Sequence, residues 1–178
     1  MSPEAKRTTL AVLTVYSDAS VCNRSGAAGW GCWVRNDAGD RRSFSGPIGR
    51  TVLNSTDAEF CAAANAIHAA CKSLQPVPGT LIVLVTDCLM LVQALRGAKP
   101  RKRSSTQGEA TRFILDLVKE RKCSLRCNKV KAHSDQDGAR SYINRIVDQL
   151  AKAAMQKRRR ELPQKAEQLA LELTHADT

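Results

Sequence analysis

Long apolar segments are the first feature that this sequence lacks. No apolar run is long enough to cross a membrane, and the N-terminal residues form no apolar signal segment. We therefore expect a soluble, intracellular protein that makes no contact with a membrane. Aromatic residues are also scarce, at 4% of the chain. This scarcity argues against recognition of single-stranded nucleic acid by stacking on its bases.

Paired cysteine motifs are absent as well. The seven cysteines show no repeated short spacing, and several lie inside apolar runs. We therefore expect reduced thiols that serve as small core residues. Cys123, Cys127 and His133 are conceivable zinc ligands, but the lack of paired CxxC knuckles argues against a zinc site.

Acidic residues are outnumbered by basic ones. The chain has 28 Lys and Arg against 17 Asp and Glu, which gives a formal net charge of +11 and a pI near 9.7. Such an excess favours a polyanionic partner such as nucleic acid, because each phosphate bound by a basic side chain releases counterions. A basic scaffold protein of the ribosomal kind would show the same balance, so charge alone does not imply an enzyme.

The pattern of apolar residues predicts an α/β fold. With 178 residues, of which 43% are hydrophobic, the chain can form one compact domain with an appendage. The predicted strands are residues 10–16, 29–34, 41–48, 81–85 and 124–131. The predicted helices are an Ala-rich helix that ends at residue 74, and residues 88–95, 109–122 and 141–160. This order predicts a mixed sheet with helices on its faces.

Three segments are expected along the chain. Residues 1–9 form an N-terminal extension, residues 10–155 the globular domain, and residues 156–178 a basic, amphipathic C-terminal tail. Pro163 is expected to interrupt the last helix.

Four carboxylates stand where they can meet. Asp18 follows the first predicted strand and Asp87 follows the strand over residues 81–85, so both would emerge at the edge where open α/β sheets bind ligands. Glu59 lies one turn into the first long helix. Asp148 borders the apolar stripe of the last helix, one turn beyond Asn144. Carboxylates gathered this closely repel one another, and a hard divalent cation such as Mg²⁺ removes that cost.

Such a cluster suits phosphodiester hydrolysis. Two ions about 4 Å apart activate an attacking water and stabilise the leaving oxygen. His133, in a polar loop before Asp148, is placed to move protons to or from the reacting oxygens.

Each of these residues also has an ordinary structural interpretation. Glu59 with Thr56 matches a capping box, which would only satisfy backbone donors at a helix start. Asp18 and Asp87 are acceptable turn or N-cap residues, and Asp148 could pair with a basic residue of its own helix. The order and context of the whole set favour the chemical interpretation.

Six short motifs, taken in order, point to a family. They are Tyr16-Ser17-Asp18-Ala19-Ser20, Gly29-Trp30-Gly31, Glu59 with its Ala-rich helix, Val85-Thr86-Asp87, Val130-Lys131-Ala132-His133, and Asn144-xxx-Asp148-xx-Ala151. In this order the chain resembles type 1 ribonuclease H over residues 10–154. The resemblance implies a ribonuclease H-like fold, with a five-stranded mixed sheet of three antiparallel strands followed by two parallel strands, flanked by helices. It also implies two bound Mg²⁺ ions, or Mn²⁺, and endonucleolytic cleavage of the RNA strand of RNA–DNA hybrids.

The resemblance also assigns roles to residues. Asp18, Glu59, Asp87 and Asp148 would be catalytic and would hold the metals, and His133 would assist product release or proton transfer. Contacts to nucleic acid are expected from Asn23, Asn54, Ser55, Thr56, Lys99, Arg101, Lys102, Arg103 and Asn144. The four basic residues of this set belong to the loop over residues 96–105, where the family often has a basic protrusion.

Two positions depart from the family pattern. Ala19 stands where the family usually has Gly. Asp57 stands where a basic residue is usual, and it is expected to add repulsion towards phosphate. In the tail, Lys157-Arg158-Arg159-Arg160 would extend the phosphate contacts or favour the negative end of the preceding helix.

The leading hypothesis is therefore a hybrid-specific ribonuclease, acting as a monomer in the cytoplasm or on the nucleoid. A protein partner that binds through the C-terminal tail is also considered. Two alternatives remain. One is a module of the same fold that binds nucleic acid or protein without cutting, and the other is a nuclease of the same fold with another substrate, such as DNA junctions.

Overall fold

The computed structural model describes residues 10–50, 52, 54–98, 104–130 and 138–176. Its strands are β1 (Val12–Cys22), β2 (Ala27–Asn36), β3 (Arg41–Pro47), β4 (Leu81–Thr86) and β5 (Ser124–Lys129). Its helices are α1 (Ser55–Leu74), α2 (Leu89–Leu95), α3 (Ser105–Glu120) and α4 (Gly138–Ala176). The element order predicted from the sequence is confirmed.

All five strands form one mixed sheet. Their order is β3-β2-β1-β4-β5. β1, β2 and β3 pair antiparallel, whereas β4 is parallel to both β1 and β5. The α/β, ribonuclease H-like architecture expected from the sequence is therefore present.

Helices cover the sheet unequally. On one face of the sheet, inward-facing residues of β1 and β4 pack against α1 and α3. They include Leu13 and Ile82, which lie in one buried cluster with Phe60, Ile67 and Ile114. Each such side chain contributes about 1.5–3 kcal/mol when it is fully buried. On the other face, α4 packs against β1, β2 and β3.

Two glycines explain how closely α4 approaches the sheet. A Cβ atom at Gly31 would lie 2.6 Å from the Val147 carbonyl oxygen, and one at Gly29 would overlap the Met155 backbone nitrogen. Only glycine lets the two backbones come this near. The Gly29-Trp30-Gly31 motif therefore fixes the position of the helix that carries Asp148.

Several boundaries differ from those predicted, and the two largest differences are at the ends of β1 and α4. β1 extends to Cys22 and does not end at residue 16, because its polar second half pairs with β2 up to Cys22 opposite Ala27. α4 continues through Pro163 to Ala176, so the expected interruption is wrong. Good helix formers (Gln, Lys, Ala, Glu and Leu) dominate the sequence beyond Pro163.

The cysteines within the described residues are all free thiols. Cys32, Cys61, Cys71 and Cys127 are buried, as expected for small core residues. No helix in the described ranges has the length and apolar character needed to cross a membrane.

Candidate active site

Three carboxylates converge at one edge of the sheet. β1 and β4 pair in parallel as far as Tyr16 opposite Val85. Asp18 lies two residues beyond that pair, still inside β1, and Asp87 directly follows β4. Asp18, Asp87 and Glu59 of α1 each offer a carboxylate oxygen, and these atoms all lie within 4.8 Å of one another. The register of two parallel strands thus brings together residues that are far apart in the sequence.

Glu59 reaches this edge because another residue caps its helix. The Asn54 side-chain oxygen accepts the Asp57 N–H at 2.8 Å, so Asn54 is the N-cap of α1. The capping box that the sequence suggested for Thr56 and Glu59 is therefore not formed. The Glu59 carboxylate instead accepts the Ala19 N–H from β1 at 3.3 Å.

The same N–H group orients the half-buried carboxylates of Asp18 and Glu59. Ala19 N–H also donates to Asp18 Oδ1 at 2.8 Å. The Ala19 methyl group packs beside the apolar cluster of Ala28, Ala58 and Cys61. The departure from Gly at this position is therefore accommodated without displacing the carboxylates.

Burial and mutual repulsion raise the pKa values in the cluster. Burial raises the pKa of Asp18 from 3.8 to about 6, against the Ala19 hydrogen bond, and the charges of Asp87 and Asp148 add to the rise. Burial, and then the charges of Asp18 and Asp87, raise the pKa of Glu59 from 4.5 to about 9. Without a cation, the charged form of Glu59 is therefore disfavoured.

The donor set fits a hard divalent cation. Glu59 Oε2 is buried and has no hydrogen-bond partner in the described part of the chain, whereas Asp87 is exposed. The cluster thus combines a buried oxygen of Glu59 that lacks a partner with the exposed carboxylate of Asp87. Carboxylate oxygens with access to water are what Mg²⁺ and Mn²⁺ prefer.

Asp148 lies near this group but outside it. Its charge acts on Asp18, yet it is not one of the three carboxylates that meet. Its Oδ2 accepts from Lys152 Nζ at 2.8 Å, one turn along α4. The predicted pairing with a basic residue of its own helix is present, and the spacing of four residues was the signal for it.

Asp57 has a different position from the one predicted. It is fully buried, and its Oδ1 accepts from Ser104 Oγ and from Gln107 Nε2, both at 2.7 Å. Its side chain does not face solvent, because Asp57 joins the start of α1 to the start of α3, and its effect on phosphate stays a prediction. No local sequence signal indicates this contact.

The expected nucleic-acid contacts occupy several places. Asn23 is exposed in the turn after β1, Ser55 is exposed and Thr56 half-buried in the first turn of α1, and Asn144 is half-buried on α4. The side-chain oxygen of Asn54 already accepts the hydrogen bond that caps α1. His133, Lys99, Arg101, Lys102 and Arg103 lie outside the described residues. Arg96, at the start of the basic loop, donates to the Cys127 carbonyl oxygen at 2.8 Å.

Comparison with known families gives one clear match. The model of the family described as RNase H matches residues 11–156. No curated protein matches the chain as a sequence relative.

Solved structures share the fold at low sequence identity. The N-terminal RNase H domain of rv2228c from Mycobacterium tuberculosis has 15% identity and a TM-score of 0.63, over 85% of this chain and 98% of that chain. RNase H1 from the halophilic archaeon Halobacterium salinarum has 19% identity and a TM-score of 0.61, over 82% and 98%. LC11-RNase H1, isolated from compost, was solved with an RNA/DNA hybrid. It has 19% identity and a TM-score of 0.60, over 82% of this chain and 97% of that one. These structures support the fold, and the family match covers nearly the whole predicted domain, so the chain belongs to the RNase H family.

Proposed function

We propose that this protein is an endoribonuclease that hydrolyses the RNA strand of RNA–DNA hybrids with the help of divalent metal ions. The observation that carries the proposal is the convergence of Asp18, Glu59 and Asp87 within 4.8 Å in a chain of the RNase H family. An unneutralised cluster of this kind has a cost in free energy that a structural role would not require.

Asp18, Glu59 and Asp87 would hold Mg²⁺ or Mn²⁺, with two ions expected and Asp148 as the fourth carboxylate. Bound ions supply charge neutralisation and an activated water for attack on the phosphodiester. The Ala19 N–H keeps Asp18 and Glu59 in place. Asp148 would bind a metal ion once its ion pair with Lys152 is broken. We assign proton transfer to His133.

The hybrid would lie across the edge that exposes Asp87. Asn23 and Ser55 are exposed, and with Asn54, Thr56 and Asn144 they supply polar groups suited to sugar and phosphate oxygens, including the 2′-hydroxyls that distinguish RNA. We assign phosphate binding on the DNA strand to Lys99, Arg101, Lys102 and Arg103. LC11-RNase H1 in complex with an RNA/DNA hybrid is the relative that suggests this mode of binding.

The test is gel-resolved cleavage of a labelled RNA–DNA hybrid with Mg²⁺, with Mn²⁺ and with a chelator. Duplex DNA, duplex RNA, single-stranded RNA and a four-way DNA junction serve as competing substrates. Asp87→Asn removes one ligand from an exposed position, so the core stays intact. Asp116→Asn makes the same chemical change on the exposed surface of α3 and is the matched control.

Metal-dependent cutting of the hybrid's RNA strand alone, lost in Asp87→Asn and kept in Asp116→Asn, is the expected result. Cutting of the junction in place of the hybrid would assign the protein to the resolvases. Binding of the hybrid without cutting any substrate would make it a binding module, and would overturn the proposal.

A further inference from the structure

The helix dipole does not explain the basic segment of α4. Lys157, Arg158, Arg159 and Arg160 follow one another along the chain. Stabilisation by the helix dipole would need them in the last turn. However, α4 continues to Ala176, so these four residues lie in the middle of the helix, and some other interaction must account for them.

One of the four lies in line with the candidate active site. At 100° per residue, Asp148, Lys152 and Arg159 share one face of α4, whereas Lys157 lies on the opposite face from Asp148. Arg159 and Lys157 are both exposed. Arg159 follows Asp148 by eleven positions, which correspond to about 16 Å along the helix axis. A strand of a duplex that runs parallel to the helix would cover this distance in about five nucleotides.

Arg159 lies towards the β1–β2 turn. A Cβ atom at Gly31 would meet Val147, whereas one at Gly29 would meet Met155, so α4 advances towards the start of β2, and Arg159 follows Met155 by one turn. After the hydrogen bonds of Ser25, the charge of Arg159 also contributes to lowering the pKa of Cys22 at the end of β1. Arg24, the second residue of that turn, is exposed, and so is Asn23. Two arginines from separate elements thus lie near the end of β1, which continues four residues beyond Asp18.

Neither arginine is neutralised within the described residues. The ion pairs there are Arg50 with Glu109 and Lys152 with Asp148. Exposed arginines without acidic partners favour phosphate, which their planar guanidinium groups bind in a bidentate manner. A duplex presents phosphates at regular spacing, and this suits two cations that come from separate elements.

We propose that Arg24 and Arg159, the distal arginine pair, bind backbone phosphates of the duplex about five nucleotides from the phosphodiester that is cut. The inference rests on the proposed function, and it adds a length requirement to the substrate. The pair carries no information about base sequence, since phosphate contacts position a duplex without reading it.

The test compares Arg159→Gln and Arg24→Gln with Lys157→Gln, which removes the same charge from the opposite face of α4. Binding of fluorescent hybrids of about 24 and about 8 base pairs is measured by anisotropy in a chelator, over a range of salt concentrations. For the long hybrid, each arginine variant should lose about five- to ten-fold in affinity near 0.1 M salt. The slope of log affinity against log salt should become about one unit shallower.

Lys157→Gln should change affinity for the long hybrid less than two-fold, and the short hybrid should not distinguish the three variants. Equal losses in Arg159→Gln and Lys157→Gln would overturn the inference, because they would indicate a general effect of net charge. In cleavage assays, the arginine variants should raise KM for the long hybrid and leave kcat unchanged. If the protein binds but does not cut, anisotropy still decides the inference, so its failure and the failure of the proposed function are distinguishable.

Discussion

Two acidic residues at the start of α1, Asp57 and Glu59, are only two positions apart and have opposite environments. Asp57 is the more deeply buried of the two. Its Oδ1 accepts two short hydrogen bonds from Ser104 and Gln107, and it lies near the positive N-termini of α1 and α3. Glu59 accepts one long bond, which it shares with Asp18.

The comparison shows that burial alone does not identify a functional carboxylate. Burial, and then the charges of Asp18 and Asp87, raise the pKa of Glu59 to about 9. Asp57 Oδ1 has Ser104 and Gln107 as donors, whereas the acidic neighbours of Glu59 add to the cost that burial imposes on its charged form. The two residues thus differ in the groups that each one meets, which are donors in one case and acids in the other.

The largest effect should come from Glu59→Gln. This change keeps the size of the side chain and removes the charge that would bind a cation, so cleavage of the hybrid should fall by more than about 100-fold. The metal-free protein should be at least as stable as the unchanged chain at pH 8, because a repulsive group is gone. The measurements are single-turnover cleavage and thermal unfolding in a chelator. A marked loss of stability would mean that Glu59 is needed for the fold.

Asp57→Ala should have the opposite effects, with a large loss of stability and little loss of cleavage. Removal of this acceptor leaves the buried donors of Ser104 and Gln107 unpaired, and should lower the free energy of unfolding by about 2–4 kcal/mol. Asp57→Asn keeps an acceptor oxygen and should lose less. Urea titration gives the free energies, and cleavage measured well below the unfolding transition should stay within a few-fold of the unchanged protein. A stable but inactive Asp57→Ala would place Asp57 in the active site.

The sequence was sufficient for the order of elements, because their apolar patterns are strong. The run of Leu81–Thr86, apolar on both faces, could only be an internal strand. The edge position of Asp87 followed from it. The position of Asp18 inside a strand was harder to predict. The polar residues after Tyr16 have the composition of a loop, and only their pairing with β2 makes them a strand.

The difference between Asp57 and Glu59 was not predictable from local pattern. The contacts of Asp57 come from residues up to 50 positions away, and that of Glu59 from Ala19, 40 positions away. The capping box offered Glu59 a purely structural role, and the departure from the family pattern predicted that Asp57 would act on phosphate. The packing of α1 against α3 and β1 instead buries Asp57 and leaves Glu59 beside Asp18.

The raised pKa values predict how the metal-free protein responds to pH. In the folded state, Asp18 and Glu59 keep protons that the unfolded chain has already released. Their contribution to stability is therefore full below their ordinary values and is lost as pH rises from about 4 to about 9. Thermal unfolding in a chelator should show a falling midpoint over this range, and Glu59→Gln should flatten the curve.

Divalent ions should reverse this trend at high pH. Binding to the ionised cluster at 100 times the dissociation constant would add about 2.7 kcal/mol. The gain should be small near pH 5, where protons compete for the same oxygens. A midpoint that rises with pH in the chelator would contradict the geometry of the cluster.

The smallest effect should come from the ion pair between Lys152 and Asp148. Half of the Lys152 side chain is exposed, and the pair is of the i,i+4 kind, so solvent screens it and its contribution to stability is small. Lys152→Gln should therefore lower the Mg²⁺ concentration for half-maximal cleavage by about two-fold, because Asp148 no longer has to leave a partner and the cluster becomes more negative. Lys157→Gln, on the opposite face of the same helix, should leave this concentration unchanged. A higher requirement for Mg²⁺ in Lys152→Gln would show that Lys152 orients Asp148 towards the cluster and does not withhold it. Asp148 would then owe its position to a donor, as Asp57 does, and the contrast drawn from α1 would not extend to α4.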